Sequence, residues 1–242
     1  MTAKKFQSIL KRYWMSQCTE GSFRLDEQTV QCFLDAPMDV NHPFQGPPGS
    51  KLKNGRGKDH PRYGRFIYAI AKTHKPHVVV EVGTYAGGTA IWWAKALREN
   101  QGGRLLCVDN DTYSKHTYPE LTRLNLMQTR LKSDQFELLI GDSKQMVPQL
   151  SARFPKQVDF YLVDGDHTYE GARLDILNGF PMMKSGSWIL VHDVDRNRRM
   201  DEMTEEHPYP VYEAFMEVAH QYKLEWCILK FIRKHLGILK IS

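Results

Sequence analysis

The chain has 242 residues, a formal net charge of +5, and 41% hydrophobic, 25% charged and 11% aromatic residues. Such a chain holds one ordinary domain with an elaboration and buries a sizeable core, which excludes a fully disordered protein. No apolar run approaches the roughly 18 residues of a membrane span, and a mild, dispersed positive charge argues against nucleic acid as a partner.

The N-terminal stretch MTAKKFQSILKRYW has no signal-peptide core or cleavage site. Its apolar side chains recur every three or four residues, so the first 35 or so residues are expected to be helical. The four cysteines (Cys18, Cys32, Cys107, Cys227) form no C-x-x-C pair, and a reduced cytoplasmic interior is the simplest setting. Residues 36–64 carry five of the twelve prolines and five of the seventeen glycines, which excludes a regular helix or central strand there. Long loops of this kind are functional or mobile, and 44–64 is expected to close over a site as a lid. A boundary near Asp59 divides an N-terminal helical elaboration with its lid loop (1–58) from the main domain (59–242).

A helix over Arg65–Thr73 leads into strict alternation. HVVVEVG, RLLCVDN, FELLIGD, VDFYLVDGD and SWILVHD read as buried strands, each followed by a helical segment. The chain ends in LEWCILKFI and LGILKIS, too close for a crossover helix and therefore an antiparallel hairpin. The fold class is α/β, a doubly wound, Rossmann-like sheet with helices on both faces.

Such sheets bind ligands beyond the carboxyl ends of their strands. Every central strand here ends in chemistry: Glu81-Val-Gly83, Asp109-Asn110-Asp111, Gly141-Asp142-Ser143, Asp164-Gly-Asp166-His167 and His192-Asp193-Val-Asp195. Ionised groups are costly to bury unpaired, so packing is a poor explanation for this series. The loop Gly83-Thr84-Tyr85-Ala86-Gly87-Gly88-Thr89 opens a helix whose free N–H groups and close backbone approach suit a ligand. It is not G-x-G-x-x-G, which disfavours a nicotinamide dehydrogenase. Asp109 is placed to accept bonds from two ribose hydroxyls, with Asp142 and Ser143 toward an adenine edge. Asp164 and Asp193 end adjacent strands and repel unless a cation or proton lies between them; the alternative is pairing with Arg196, Arg198 or Arg199. His167 and His192 are the candidate general bases. Trp92 and Trp93 read as core, and the mixed charge run 195–207 as a solvated face lying over the site.

In their order and spacing, EVGTYAGGTA, VDND, GDS and VDGDHTYEGARLDI resemble the class I S-adenosylmethionine-dependent methyltransferases. More narrowly, DGDHTYEG and VHDV resemble the branch with macrolide-sugar O-methyltransferases and proteins labelled cephalosporin hydroxylase, over about residues 50–242. The resemblance implies a seven-stranded sheet of order 3-2-1-4-5-7-6 with strand 7 antiparallel. It also implies S-adenosyl-L-methionine held by Glu81, Gly83, Thr84, Tyr85, Gly87, Thr89, Asp109, Asn110, Asp142, Ser143, Asp164 and His167. A divalent metal, Mg²⁺ first, falls to Asp164, His192 and Asp193, where relatives carry two acids in place of the His192–Asp193 pair. The expected catalytic residues are His167, His192 and Asp164, acting on the hydroxyl of a small molecule such as a sugar or other natural-product intermediate. Neither a membrane nor nucleic acid is an expected partner, and the N-terminal elaboration is available for homo-oligomer contacts. The rival readings are a non-haem iron hydroxylase and a catalytically inactive adenosylmethionine-binding protein.

Overall fold

The computed structural model describes residues 19–36, 60–112, 118–196, 202–230 and 235–242. Strand β1 (Thr19–Gly21) and helix α1 (Glu27–Asp35) come first, then α2 (His60–His74). The alternating region follows as β2 (Val78–Val82), α3 (Ala90–Asn100), β3 (Arg104–Asp109), α4 (Tyr118–Gln128), β4 (Phe136–Ile140), α5 (Ser143–Arg153) and β5 (Val158–Val163). It continues through α6 (Tyr169–Gly179), β6 (Met183–His192) and α7 (Pro210–Gln221) to the closing strands β7 (Glu225–Lys230) and β8 (His235–Lys240).

All strands join one sheet of order β4-β3-β2-β5-β6-β8-β7-β1. The central pairs β4/β3, β3/β2, β2/β5 and β5/β6 are parallel, while β8 runs antiparallel to both β6 and β7. The seven strands expected from the sequence thus occur in the expected order. An eighth is added at the edge, where Thr19, Glu20 and Gly21 pair antiparallel with Leu229, Ile228 and Cys227. The helix expected through this stretch is absent at 19–21. Gly21 adopts φ 137°, and a Cβ there would collide with the Trp226 carbonyl, so contact with β7 decides the conformation.

Side-chain alternation sorts the strands onto two cores. Val79, Phe160, Leu162, Trp188 and Leu190 face α1, α2 and α3, whose Phe33, Phe66 and Trp93 lie in the same cluster. Val80, Val82, Tyr161, Val163, Ile189 and Val191 face α5, α6 and α7 through Val147, Leu150, Ile176 and Phe215. Covering both faces is what a parallel sheet requires. Trp92 and Trp93 are buried in this core, as their helical spacing implied.

Most of the segment read as a lid, 44–59 of 44–64, and the periodic stretch before residue 19 lie outside the described residues. Residues 60–64, expected to be loop, are instead the first turn of α2. Pro61 is tolerated there because a first-turn N–H has no helical acceptor to lose. Gly64 packs under Trp92, where a Cβ would collide with the indole.

Candidate active site

The parallel strands place all their carboxyl ends on one edge, and a cavity of about 880 Å³ opens there. Its walls come from Gly83, Thr84, Tyr85 and Thr89 after β2, Asp109 and Asn110 after β3, and Asp142 and Ser143 after β4. Asp164 and His167 after β5, and His192 at the end of β6, complete the opposite side.

The three strand ends are tied together by backbone. Gly83 N–H donates to the Val108 carbonyl at 2.9 Å, and Asp164 N–H to Val82 at 3.0 Å. Gly83 has φ 80°, and a Cβ there would run into the Asp164 carbonyl. Asp109 is held in place by two backbone donors, Tyr85 N–H to Oδ2 at 2.7 Å and Asp111 N–H to Oδ1 at 2.8 Å. A carboxylate offers about four acceptor positions, so hydroxyl donors can still be received. Asp142 caps α5 by accepting Lys144 N–H at 2.9 Å. The Thr89 side chain caps no N–H at the start of α3, which faces the cavity. Tyr85, Asp111 and Asp193, all beside these strand ends, have positive φ (52°, 55° and 58°).

On the far side, donor atoms of Asp164, His167 and Asp193 lie within 4.8 Å of one another. His192 Nδ1 is 2.8 Å from Asp164 Oδ1 and 3.5 Å from Asp193 Oδ2. His167 Nε2 is 3.5 Å and 3.8 Å from the same two carboxylates, and its Nδ1 is 4.0 Å from Glu202. Burial favours the neutral form of His192, yet Asp164 and Asp193 outweigh it and bring its pKa up to about 9. Burial likewise opposes the charge on His167, and the same acids raise its pKa above the usual value. Arg196, one of the alternative partners for the acids, instead reaches Glu20 at 3.4 Å and covers the Tyr212 ring, while Arg198 and Arg199 lie outside the described residues.

Two residues expected at the ligand are placed elsewhere. Glu81 points to the α3 side of the sheet beside Trp93 and does not line the cavity; burial, then Asp164 and Asp109, raises its pKa well above the ordinary range. Gly87 faces Thr122, and its neighbour Gly88 lines the cavity. Asp193 sits behind His192 and meets the site through the acid–imidazole cluster. The structure also brings in residues that the strand-end pattern does not single out. Tyr63 arrives from α2 and packs at a tilt against His192, ring centroids 4.8 Å apart; Tyr118 donates to the Tyr85 hydroxyl at 2.7 Å. Glu202 lines both the main cavity and a smaller one, about 380 Å³, formed with Thr168, Tyr169, Glu170, Thr204 and His207.

Beside Ser143 and Asp166 at the cavity wall, Asp175 is fully buried. Burial raises its pKa from 3.8 to about 6; nearby Ser143 opposes the shift and Asp166 adds to it. The folded state therefore holds this proton where the unfolded chain releases it, and stability falls as pH rises from about 4 through about 6. Asp175→Asn is expected to stabilise the protein at pH 7.5 by about 1–3 kcal/mol. Urea unfolding at pH 7.5 and pH 4 checks this, because the gain should vanish at the lower pH.

Residues 80–194 match the family model described as a methyltransferase domain. A catechol O-methyltransferase from Niastella koreensis is 30% identical over 106 residues, covering 44% of this chain and 45% of that protein. A transmembrane O-methyltransferase from Propithecus coquereli is 24% identical over 190 residues, covering 74% and 65%. The chain thus spans about half to two thirds of the length of these relatives. Among the described residues, no helix is long and apolar enough to cross a membrane. Among solved structures, a putative O-methyltransferase from Klebsiella pneumoniae aligns over 100% of both chains with TM-score 0.62 and 15% identity. A Bacillus cereus O-methyltransferase in complex with SAH aligns over 98% of this chain and 99% of its own, with TM-score 0.61 and 14% identity. At such identities the likeness is one of fold. Residues 80–194 are similar to a methyltransferase domain, and they sit in a fold shared with solved O-methyltransferases.

Proposed function

We propose that this protein transfers the methyl group of S-adenosylmethionine to a hydroxyl oxygen of a small, hydroxylated acceptor, assisted by a divalent cation. One observation carries the reading. A single strand-end cavity has a glycine loop, Asp109 and Asp142 on one side and the Asp164–His167–His192–Asp193 cluster on the other. Its volume suits a nucleoside-sized ligand. The residues fit the cofactor chemically: an anchored carboxylate at Asp109 for a ribose diol, and an open helix N-terminus at Thr89. The acid–imidazole cluster fits a cation, since donor atoms of two carboxylates and an imidazole lie within 4.8 Å of one another there.

When bound, S-adenosylmethionine supplies an electrophilic sulfonium methyl and the cation lowers the pKa of the acceptor hydroxyl. Asp164, His192 and Asp193 would hold the cation. His167, the more exposed imidazole of the cluster, takes the hydroxyl proton at Nε2, and Glu202 steadies its Nδ1 side. The smaller cavity beside Glu202 receives the rest of the acceptor. Its described lining holds carboxylates, hydroxyls and rings but no lysine or arginine, which suits a sugar-like or other polyhydroxylated natural-product acceptor.

The test is calorimetry with S-adenosylhomocysteine, paired with transfer of labelled methyl to hydroxylated acceptors. Asp109→Ala should lose two charge-assisted hydrogen bonds, on the order of 1.5–3 kcal/mol each, from cofactor affinity. Unchanged affinity in a folded variant rejects the ribose assignment. Tight binding with no transfer to any acceptor favours a non-catalytic role.

A further inference from the structure

We infer that His192 is a nitrogen ligand and that it makes this site prefer a first-row transition ion, Mn²⁺, Fe²⁺ or Co²⁺, over Mg²⁺. The inference rests on the divalent-cation reading above and concerns which ion these side chains choose.

The first observation is an orphaned atom. His192 is 2% exposed, and its Nδ1 makes no hydrogen bond among the described residues. Asp164 Oδ1 is nonetheless only 2.8 Å away and Asp193 Oδ2 3.5 Å away. Both oxygens are close enough to accept, yet neither lies along the ring N–H direction. A buried ring nitrogen without a partner is uncommon and calls for an explanation. An ion on the nitrogen's lone-pair axis, flanked by the two carboxylates, provides one.

The spacing agrees with this. Donors about 2.1 Å from an octahedral ion stand about 3 Å apart when adjacent. The distances from His192 to Asp164 and Asp193 bracket that value, at 2.8 and 3.5 Å. Charge agrees as well: two carboxylates and a neutral imidazole balance a dication, so the pocket needs no further counter-ion. A protonated His192 is the competing occupant, and it would serve as a simple counter-cation between the acids. That arrangement should place an N–H on an oxygen, which the geometry does not.

Ligand type then selects the ion. Mg²⁺ favours oxygen donors and retains its waters, whereas imidazole suits the later first-row ions. An all-oxygen pair at the end of β6 would leave Mg²⁺ competitive; His192 removes that advantage.

The test uses the full chain, freed of metal by chelation and exchanged with equal Mn²⁺ and Mg²⁺ before desalting. Plasma mass spectrometry should find close to one Mn²⁺ per chain and at least tenfold less Mg²⁺. Pulsed paramagnetic resonance of the Mn²⁺ form should show coupling to an imidazole ¹⁴N. In His192→Asp that coupling should disappear and the Mn²⁺ preference should fall at least tenfold. If His192→Asp does not fold, His167→Ala decides: ¹⁴N coupling that persists there comes from His192, and coupling that disappears overturns the inference. Equal or greater Mg²⁺ uptake, no bound metal, no ¹⁴N coupling, or coupling that persists in a folded His192→Asp each overturns the inference. S-adenosylhomocysteine calorimetry on metal-free protein separates the two failures: cofactor binding without metal leaves the methyltransferase reading standing.

Discussion

Gly83→Ala is expected to be the most damaging single substitution at the strand ends, on the order of 4 kcal/mol. Two costs combine at this position. Gly83 has φ 80°, where an L side chain is strained, and its missing Cβ leaves room for the carbonyl of Asp164 on the neighbouring strand. Backbone cannot swing aside as a flexible side chain can, because Asp164 N–H is itself bonded to Val82 at 3.0 Å. Gly87→Ala is the control. It has nearly the same φ, 83°, but its Cβ would meet Thr122 Cγ2 at 3.3 Å, a side chain that can yield. Its cost should be about 1–2 kcal/mol. Urea unfolding of both variants is the measurement, and equal losses would show that the approach of Asp164 contributes nothing.

His167→Ala is expected to lower kcat by about 10²–10⁴, the usual contribution of a positioned general base, while leaving affinity for S-adenosylhomocysteine nearly unchanged. The base must be neutral to accept a proton. Burial pushes His167 toward that form, but Asp164 and Asp193 raise its pKa above 6.5. The wild-type rate should therefore fall as pH drops through that raised value, and this acid limb should disappear in the variant. Metal content measured alongside keeps a loss of the ion distinct from a loss of the base. A kcat within a few-fold of wild type, with metal content intact, would assign deprotonation to another group.

Much of the site's position was legible because strand periodicity is local and a parallel sheet gathers its strand ends on one edge. The residue after each hydrophobic run could be read as a ligand candidate without knowing any contact, as with Asp109, Asp142 and Asp164. The pattern misleads where one position along a strand decides which face a side chain takes. Glu81 is adjacent to Val82, yet alternation turns it to the α3 side beneath the cavity. Gly87 and Gly88 are likewise adjacent, and only the turn geometry separates the one that packs from the one that lines the cavity.

The sequence by itself determined the alternation of strands and helices, the terminal hairpin, the strand order through family resemblance, and the row of acids and histidines at the strand ends. Apart from the strand order, these follow from short-range pattern, because side-chain period and turn chemistry are properties of a few consecutive residues. The tertiary structure alone decided three things. It added β1, whose three residues carry no pattern and are held by an edge on β7 and a collision that only glycine avoids. It decided which side chains of two segments read as lying over the site reach the cavity, Tyr63 and Glu202. And it set His192 against both Asp164 and Asp193 with its nitrogen unbonded, a relation between side chains on two neighbouring strands that depends on their angles, which no spacing along the chain encodes.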